Sequence, residues 1–153
     1  MARAPFQILV FPYIKITEVN SILYAVFRRS REGYWQGIAG GGEEGETELD
    51  AAKREAFEEA EIPTSCKYIK LDSSSMLSVV DVVGNFKWGT DVYVIPEYSF
   101  GVEIEKQKLK LSHEHIEYRW VTYEKAINML KWDSNKTALW ELNQRLLREG
   151  PWD

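Results

Sequence analysis

The chain has 153 residues and a mass of 17.8 kDa, which is the size of one ordinary domain. Apolar residues make up 44% and charged residues 28%, which predicts a packed core and excludes a disordered chain. The net charge of −5 argues against a partner such as a nucleic-acid polymer or a membrane, because both need a basic surface. The charge is uneven: residues 43–61 hold nine acids and two bases, whereas the other 134 residues have a net charge of +2.

The cysteine and histidine content limits the cellular compartment and the metal chemistry. Cys66 is the only cysteine, so no intrachain disulfide can form, and with no visible signal peptide we expect a reducing cytoplasm. No apolar run approaches the roughly 20 residues that cross a bilayer. Because His113 and His115 are the only histidines, a metal must be held mainly by carboxylates, which favours Mg²⁺ or Mn²⁺ over zinc.

The helices and strands are predicted from the pattern of apolar residues and from the residues that favour turns. β-Branched and aromatic residues predict strands at 6–14 and 21–29, and Pro12 predicts that the first lies at a sheet edge or a bulge. Six glycines within 30–45 predict turns and a loop, followed by a helix over 47–61. Further strands are predicted near 66–71, 75–83, 90–100 and 115–121, and helices near 122–131 and 135–148. This mixed order predicts an α+β or layered α/β/α single domain over residues 1–153.

The acidic segment contains carboxylates that a helix start does not explain. Thr47 is a good N-cap residue with Asp50 three positions later, and acids in the first turn complement the helix dipole. Glu55, Glu58 and Glu59 lie beyond that turn and span an arc of about 100° on the helical wheel. The arc borders a narrow apolar stripe of Leu49, Ala52, Ala56 and Ala60. A solvated acidic face and a metal site at the edge of the packed face are both consistent with this spacing.

The glycines before the helix favour the metal site. Gly45 and the run Gly40–Gly42 permit positive φ and close backbone approach, and a glycine carbonyl in this segment could add a neutral ligand to the three carboxylates. Mg²⁺ is usually held in this way, by a few carboxylates, waters and the phosphates of a substrate.

These residues together resemble the Nudix box, whose pattern is G-x5-E-x7-R-E-U-x-E-E-x-G-U with U a bulky aliphatic residue. The matching positions are Gly40, Glu46, Arg54, Glu55, Glu58, Glu59 and Ile62. Two positions depart from the pattern, since Ala56 is small where U is expected and Glu61 replaces the final glycine. The second departure affects the turn after the helix more than metal binding.

Three further segments resemble the bacterial subgroup of dihydroneopterin triphosphate diphosphatases, also described as dATP pyrophosphohydrolases. They are residues 35–47 (WQGIAGGGEEGET), 114–120 (EHIEYRW) and 132–136 (WDSNK). The resemblance covers nearly the whole chain. It implies a Nudix-type α/β/α sandwich with a mixed β-sheet, acting as a monomer or homodimer on a small phosphorylated molecule.

The resemblance also implies roles for single residues. The Gly40 carbonyl, Glu55, Glu58 and Glu59 would bind Mg²⁺, with Mn²⁺ as a substitute, and Arg54 would pair with carboxylates such as Glu46 and orient them. Glu114 would act as a general base or a further metal ligand, although a surface acid is the simpler alternative. His113 and His115 are weaker candidates for the base, and a structural role is expected for His115.

Candidate substrate-binding residues lie outside the motif. Arg28 and Arg29 end a strand and could meet a phosphate, but strand alternation sends them to opposite faces, so we expect only one to do so. Trp35, Phe86 and Trp88 could stack on a base or pterin ring, although core packing explains each equally well.

The function predicted from these residues is Mg²⁺-dependent hydrolysis of a nucleoside-triphosphate-like substrate to a monophosphate and pyrophosphate. A Nudix hydrolase for another linked diphosphate, such as a nucleotide sugar or dinucleoside polyphosphate, is an alternative. A non-catalytic Nudix module that senses a nucleotide is another, and a plain acidic helix in a structural protein is the last.

Overall fold

The structure is a computed structural model that describes residues 2–150. Its strands are Arg3–Ile16 (β1), Ser21–Arg29 (β2), Trp35–Gln36 (β3), Ile38–Glu43 (β4), Tyr68–Ser78 (β5), Val94–Glu103 (β6) and His115–Val121 (β7). Its helices are Glu48–Ala60 (α1), Val79–Val83 (α2), Tyr123–Met129 (α3) and Asp133–Glu149 (α4), and a 3₁₀ turn spans Thr17–Val19. No helix within residues 2–150 has the length and apolar character needed to cross a bilayer.

The strands form one mixed sheet with β1 at its centre. On one side β1 pairs in parallel with β6, which in turn pairs antiparallel with β5. On the other side β1 pairs antiparallel first with β4 and then with β2. The remaining strands, β3 and β7, both pair antiparallel with β2.

Two apolar cores cover the two faces of the sheet. On one face Ile8, Val10 and Phe27 pack with the alanines of α1. On the other face Leu9, Phe11 and Tyr13 pack with Leu139 and other side chains of α3 and α4. Helices therefore lie on both faces of a mixed sheet, which confirms the predicted α/β/α sandwich.

The prediction that Pro12 marks a sheet edge or a bulge is wrong, because β1 is the central strand. Pro12 falls between Val10, which pairs with β4, and Tyr13, which pairs with β2. A residue without an N–H donor is tolerated where the strand changes partners.

The prediction of turns and a loop over residues 30–45 is also wrong in part. Residues 35–43 are extended: β3 pairs with the end of β2 and β4 pairs with β1. The glycines at 40–42 lie inside β4, and positive φ occurs instead at Gly33 and Gly45. The triplet therefore serves close packing and not a left-handed turn.

Boundaries differ in the second half of the chain. The predicted strands at 66–71 and 75–83 form the single strand β5, and the last residues of the second belong to α2. The strand predicted at 90–100 begins four residues later, whereas β7 spans the predicted residues. The two closing helices are present with small shifts at their ends.

Helix α1 begins and ends as its sequence dictates. The Asp50 N–H donates to Thr47 Oγ1 at 3.1 Å and the Thr47 N–H to the Asp50 carboxylate at 3.3 Å, which completes a capping box. The C-cap residue Glu61 has φ +53°, a left-handed conformation that favours glycine. This backbone explains why the motif has glycine at the position of Glu61.

Candidate functional site

Two of the predicted metal ligands on α1 are buried and one is not. Glu55 and Glu59 are 9% and 6% exposed, whereas the side chain of Glu58 is half exposed. The apolar stripe differs from its prediction, because Leu49 is 40% exposed and Ala51 is buried in its place. Burying two carboxylates one helical turn apart is unfavourable without partners, so the contacts around them decide what the site can do.

The glycine strand lies directly against Glu55. A Cβ atom built on Gly40 would overlap the carboxyl carbon and both carboxylate oxygens of Glu55. Only glycine therefore leaves room for this carboxylate beside the backbone of β4. Burial raises the pKa of Glu55 to about 7, against the hydrogen bond and the charge of Arg54.

Arg54 joins the acidic residues into one network. Its guanidinium donates to Glu46 at 2.8 and 3.0 Å, to Glu55 at 3.0 Å and to Glu58 at 3.2 Å. It also donates to the Gly41 carbonyl at 2.8 Å, which ties α1 to β4. The same contacts hold the pKa of Glu46 below its usual value, chiefly through the Arg54 hydrogen bond. The expected role of Arg54 in orienting these carboxylates for metal binding stays a prediction.

Glu59 is held by the segment that precedes β7. Ser112 Oγ donates to Glu59 Oε2 at 2.6 Å, and the Ser112 N–H donates to the Glu59 backbone carbonyl at 2.9 Å. The buried His115 places Nδ1 at 3.5 Å from Glu59 Oε2. Burial alone would raise the pKa of Glu59, but the contacts with His115 and Ser112 outweigh it and lower the pKa.

Glu114 lies beside Glu59 and is nearer to solvent. Burial, followed by the charge of Glu59, raises the pKa of the Glu114 carboxyl. Arg29 Nη1 approaches Glu114 Oε2 at 3.5 Å, so one of the two predicted arginines reaches the site. Arg28 instead donates to Glu117 at 2.8 Å. Tyr24 and Val26, which lie on the same face of β2 as Arg28, pack toward α4. The Arg28 side chain is therefore expected on the face away from α1.

The three predicted stacking rings are not brought together. Trp35 packs against the core on the α4 side with Arg119 over its ring at 5.2 Å. Phe86 meets Tyr93 edge to face at 6.2 Å, and the Trp88 indole N–H donates to the Arg3 carbonyl at 3.1 Å. Within residues 2–150 no ring contact links the three, so their predicted role in substrate binding stays a prediction.

Ser112 contacts the candidate site, although no sequence pattern points to it. It stands 53 positions from Glu59 and belongs to no motif, so only the fold reveals the contact. The neighbouring His115 was expected to be structural, and its burial between Glu59 and the Phe27 ring agrees with that.

The donor set fits a hard cation. Its atoms are carboxylate oxygens and a glycine carbonyl, which Mg²⁺ prefers, and Gly40 opens the backbone exactly where Glu55 lies. In the described part of the chain no three acidic, His or Cys side chains already converge on a metal-binding geometry. Arg54 and Ser112 engage the carboxylates of Glu55 and Glu59 instead. Metal binding would require Glu55 and Glu58 to exchange Arg54 contacts for the ion.

A cavity of about 850 Å³ lies elsewhere, beyond the C-terminal end of α1. It is lined by residues of 60–67 and 103–110, and none of the predicted site residues borders it. The candidate site at α1 and β4 is therefore separate from this cavity.

Comparison with known proteins gives consistent matches. The NUDIX domain family model matches residues 17–141. Dihydroneopterin triphosphate diphosphatase of Haemophilus influenzae is 28% identical over 135 residues, covering 87% of this chain and 84% of that protein.

Solved structures agree in fold. A NUDIX hydrolase of Listeria monocytogenes is 40% identical with a TM-score of 0.85, covering 95% of this chain and 97% of the other. Dihydroneopterin triphosphate pyrophosphohydrolase of Escherichia coli is 24% identical with a TM-score of 0.75, covering 94% and 99%. These matches confirm the resemblance drawn from the Nudix box and the expectation of a pyrophosphohydrolase. The chain belongs to the NUDIX domain family.

Proposed function

We propose that the protein is a Mg²⁺-dependent diphosphatase that converts a nucleoside-triphosphate-like substrate, such as dihydroneopterin triphosphate or dATP, to the monophosphate and pyrophosphate. The observation that carries the proposal is the pair of buried carboxylates, Glu55 and Glu59, beside the glycine backbone of β4. The names of the relatives from H. influenzae and E. coli support this substrate class.

The Gly40 carbonyl and the carboxylates of Glu55, Glu58 and Glu59 would hold the ion. When bound, the ion supplies charge screening for the phosphates and acidification of a water molecule. Arg54 pairs with Glu46 and with the Gly41 carbonyl, which holds α1 against β4, and Ser112 keeps Glu59 in place.

Glu114 is the proposed general base. One of its carboxylate oxygens accepts a proton from water while the water oxygen bonds to phosphorus and the anhydride P–O bond breaks. The bridging oxygen leaves with the pyrophosphate. Arg29, which already contacts Glu114, is the better placed of the two predicted arginines to meet a phosphate of the substrate, whereas Arg28 is occupied by Glu117.

The first experiment is a screen of pyrophosphate release with Mg²⁺ across dihydroneopterin triphosphate, the dNTPs, nucleotide sugars and dinucleoside polyphosphates. We expect the triphosphates to be hydrolysed fastest. Preferential turnover of a nucleotide sugar or dinucleoside polyphosphate would support a hydrolase for another linked diphosphate instead. Binding without turnover would indicate a sensing module.

The second experiment tests the carboxylates. Glu59→Gln is expected to lower kcat by about 100-fold or more, since a bound cation contributes several kcal/mol of charge stabilisation. Glu44→Gln is the control, because Glu44 is exposed in the same acidic segment. Full Mg²⁺-dependent activity in both Glu58→Gln and Glu59→Gln proteins would refute the proposed site.

A further inference from the structure

Arg3 is the exception among the arginines near the site. Arg28, Arg29 and Arg54 each form an ion pair, whereas within residues 2–150 no carboxylate lies within ion-pair distance of the Arg3 guanidinium. One of its terminal nitrogens donates to the Gln7 side-chain oxygen. Its Nε is buried and has no acceptor in the described part of the chain. A half-buried cation with an unmet donor is costly, because neither water nor a protein acceptor replaces the lost hydration.

The position of Arg3 is fixed by a second glycine of β4. A Cβ atom built on Gly41 would overlap the guanidinium carbon and Nε of Arg3, so the side chain crosses β4 only because residue 41 is glycine. Gly40 and Gly41 therefore make room for two opposite charges on the two faces of one strand, Glu55 on the α1 side and Arg3 on the other.

Arg3 also lies within electrostatic range of the proposed site. Burial lowers the pKa of Arg3 most, and the charges of Glu55 and Arg54 act on it in opposite directions. The Trp88 indole N–H donates to the backbone carbonyl of Arg3, which holds a predicted stacking ring beside the same residue.

We propose that Arg3 is a substrate-binding residue whose guanidinium donates hydrogen bonds to a phosphate oxygen of the anhydride substrate. The proposal rests on the diphosphatase activity proposed above. A guanidinium donates strong charge-assisted hydrogen bonds to phosphate oxygens, and Gln7 accepts from only one of the two terminal nitrogens, which leaves the other terminal nitrogen for the ligand. A phosphate there supplies the negative charge that no carboxylate supplies.

The test compares Arg3→Gln and Arg3→Lys with Arg148→Gln, a control at an exposed arginine in the last turn of α4. Losing hydrogen bonds to a charged group should raise the KM for the triphosphate substrate by about 10- to 100-fold, with kcat nearly unchanged. The inhibition constant of inorganic tripolyphosphate, which has no ring, should rise by the same factor. Arg3→Lys keeps the positive charge but loses the planar guanidinium, so its increase in KM should be intermediate.

Melting temperatures of the three variants identify any loss of folding, and tripolyphosphate binding to folded Arg3→Lys keeps the test decisive if Arg3→Gln is unstable. A raised KM with unchanged tripolyphosphate inhibition would overturn the proposal, because Arg3 would then contact the ring. Unchanged KM and inhibition in Arg3→Gln, with an active parent protein, would also overturn it and leave the diphosphatase intact. An inactive parent protein would instead refute the proposed function itself.

Discussion

Glu97 is a buried carboxyl that the proposed chemistry does not use. It lies in β6 and is 5% exposed. Burial raises its pKa to about 7, while a hydrogen bond with Ser134 opposes the shift. Because the folded protein holds this proton more tightly than the unfolded chain does, Glu97 costs no stability at acidic pH, and its contribution becomes unfavourable as pH rises from about 4.5 to 7.

Glu97→Gln should remove the part of this loss of stability that Glu97 causes, whereas Glu55, whose pKa is also raised to about 7, keeps its own part. At about pH 8 the variant is expected to be more stable than the parent by up to about 3 kcal/mol, since the parent must ionise a buried group, whereas at about pH 5 the two should be similar. Urea denaturation across this range measures the difference. Glu18→Gln, at an exposed position, should follow the parent, and parallel pH curves for Glu97→Gln and the parent would contradict the assignment.

At the scale of elements, α4 supplies hydrogen-bond acceptors to an irregular segment of β5. The register of β5 with β6 shifts between Lys70 and Ser74. The Glu141 carboxylate of α4 accepts from the backbone N–H groups of Asp72 and Ser73 at 2.8 and 2.7 Å and from Ser73 Oγ at 2.6 Å. Burial would raise the pKa of Glu141, but these bonds and that of Arg145 lower it to about 2.

Glu141→Ala should therefore destabilise the fold by about 2 kcal/mol, because the irregular segment loses charged hydrogen bonds. Guanidinium denaturation at neutral pH measures the loss, with Glu105→Ala as a matched control at an exposed glutamate. An unchanged midpoint for Glu141→Ala would mean that water replaces the carboxylate at no cost.

Helix α1 and strands β4 and β5 show which features of the fold can be predicted from residues that are close in sequence. The capping residues and acidic spacing of α1 predicted the helix and its cap, since those signals lie within one segment. The gap predicted between two short strands at residues 72–74 is the irregular part of one strand, and its partner Glu141 is 68 positions away from Ser73. The glycines of β4 were mistaken for turns because the side chains that they accommodate, those of Glu55 and Arg3, come from other elements. Ser112 was missed for the same reason.

At the scale of the molecule, the net charge of −5 arises from residues 43–61, which carry −7 against +2 elsewhere. The proposed function makes this segment the site of phosphate chemistry, although its charge alone repels phosphates. A divalent ion changes the local charge by about two units and reverses that effect.

Removal of divalent ions should therefore weaken binding of a triphosphate substrate by about tenfold or more at low salt, because the bare carboxylates repel the ligand. Calorimetric titration in EDTA and in Mg²⁺ measures the change, and Na⁺ at matched ionic strength separates specific binding from screening. Equal affinity in EDTA and Mg²⁺ would contradict the metal-bridged site.

The parallel pairing of β1 with β6 has a consequence for synthesis on the ribosome. Gln7 pairs in register with Glu97, so one side of the central strand has no neighbour until some ninety further residues have been translated. An open strand edge invites pairing with other chains. Since Ser112 is made later still, the nascent protein contains its acidic helix well before the segment that holds Glu59 in place.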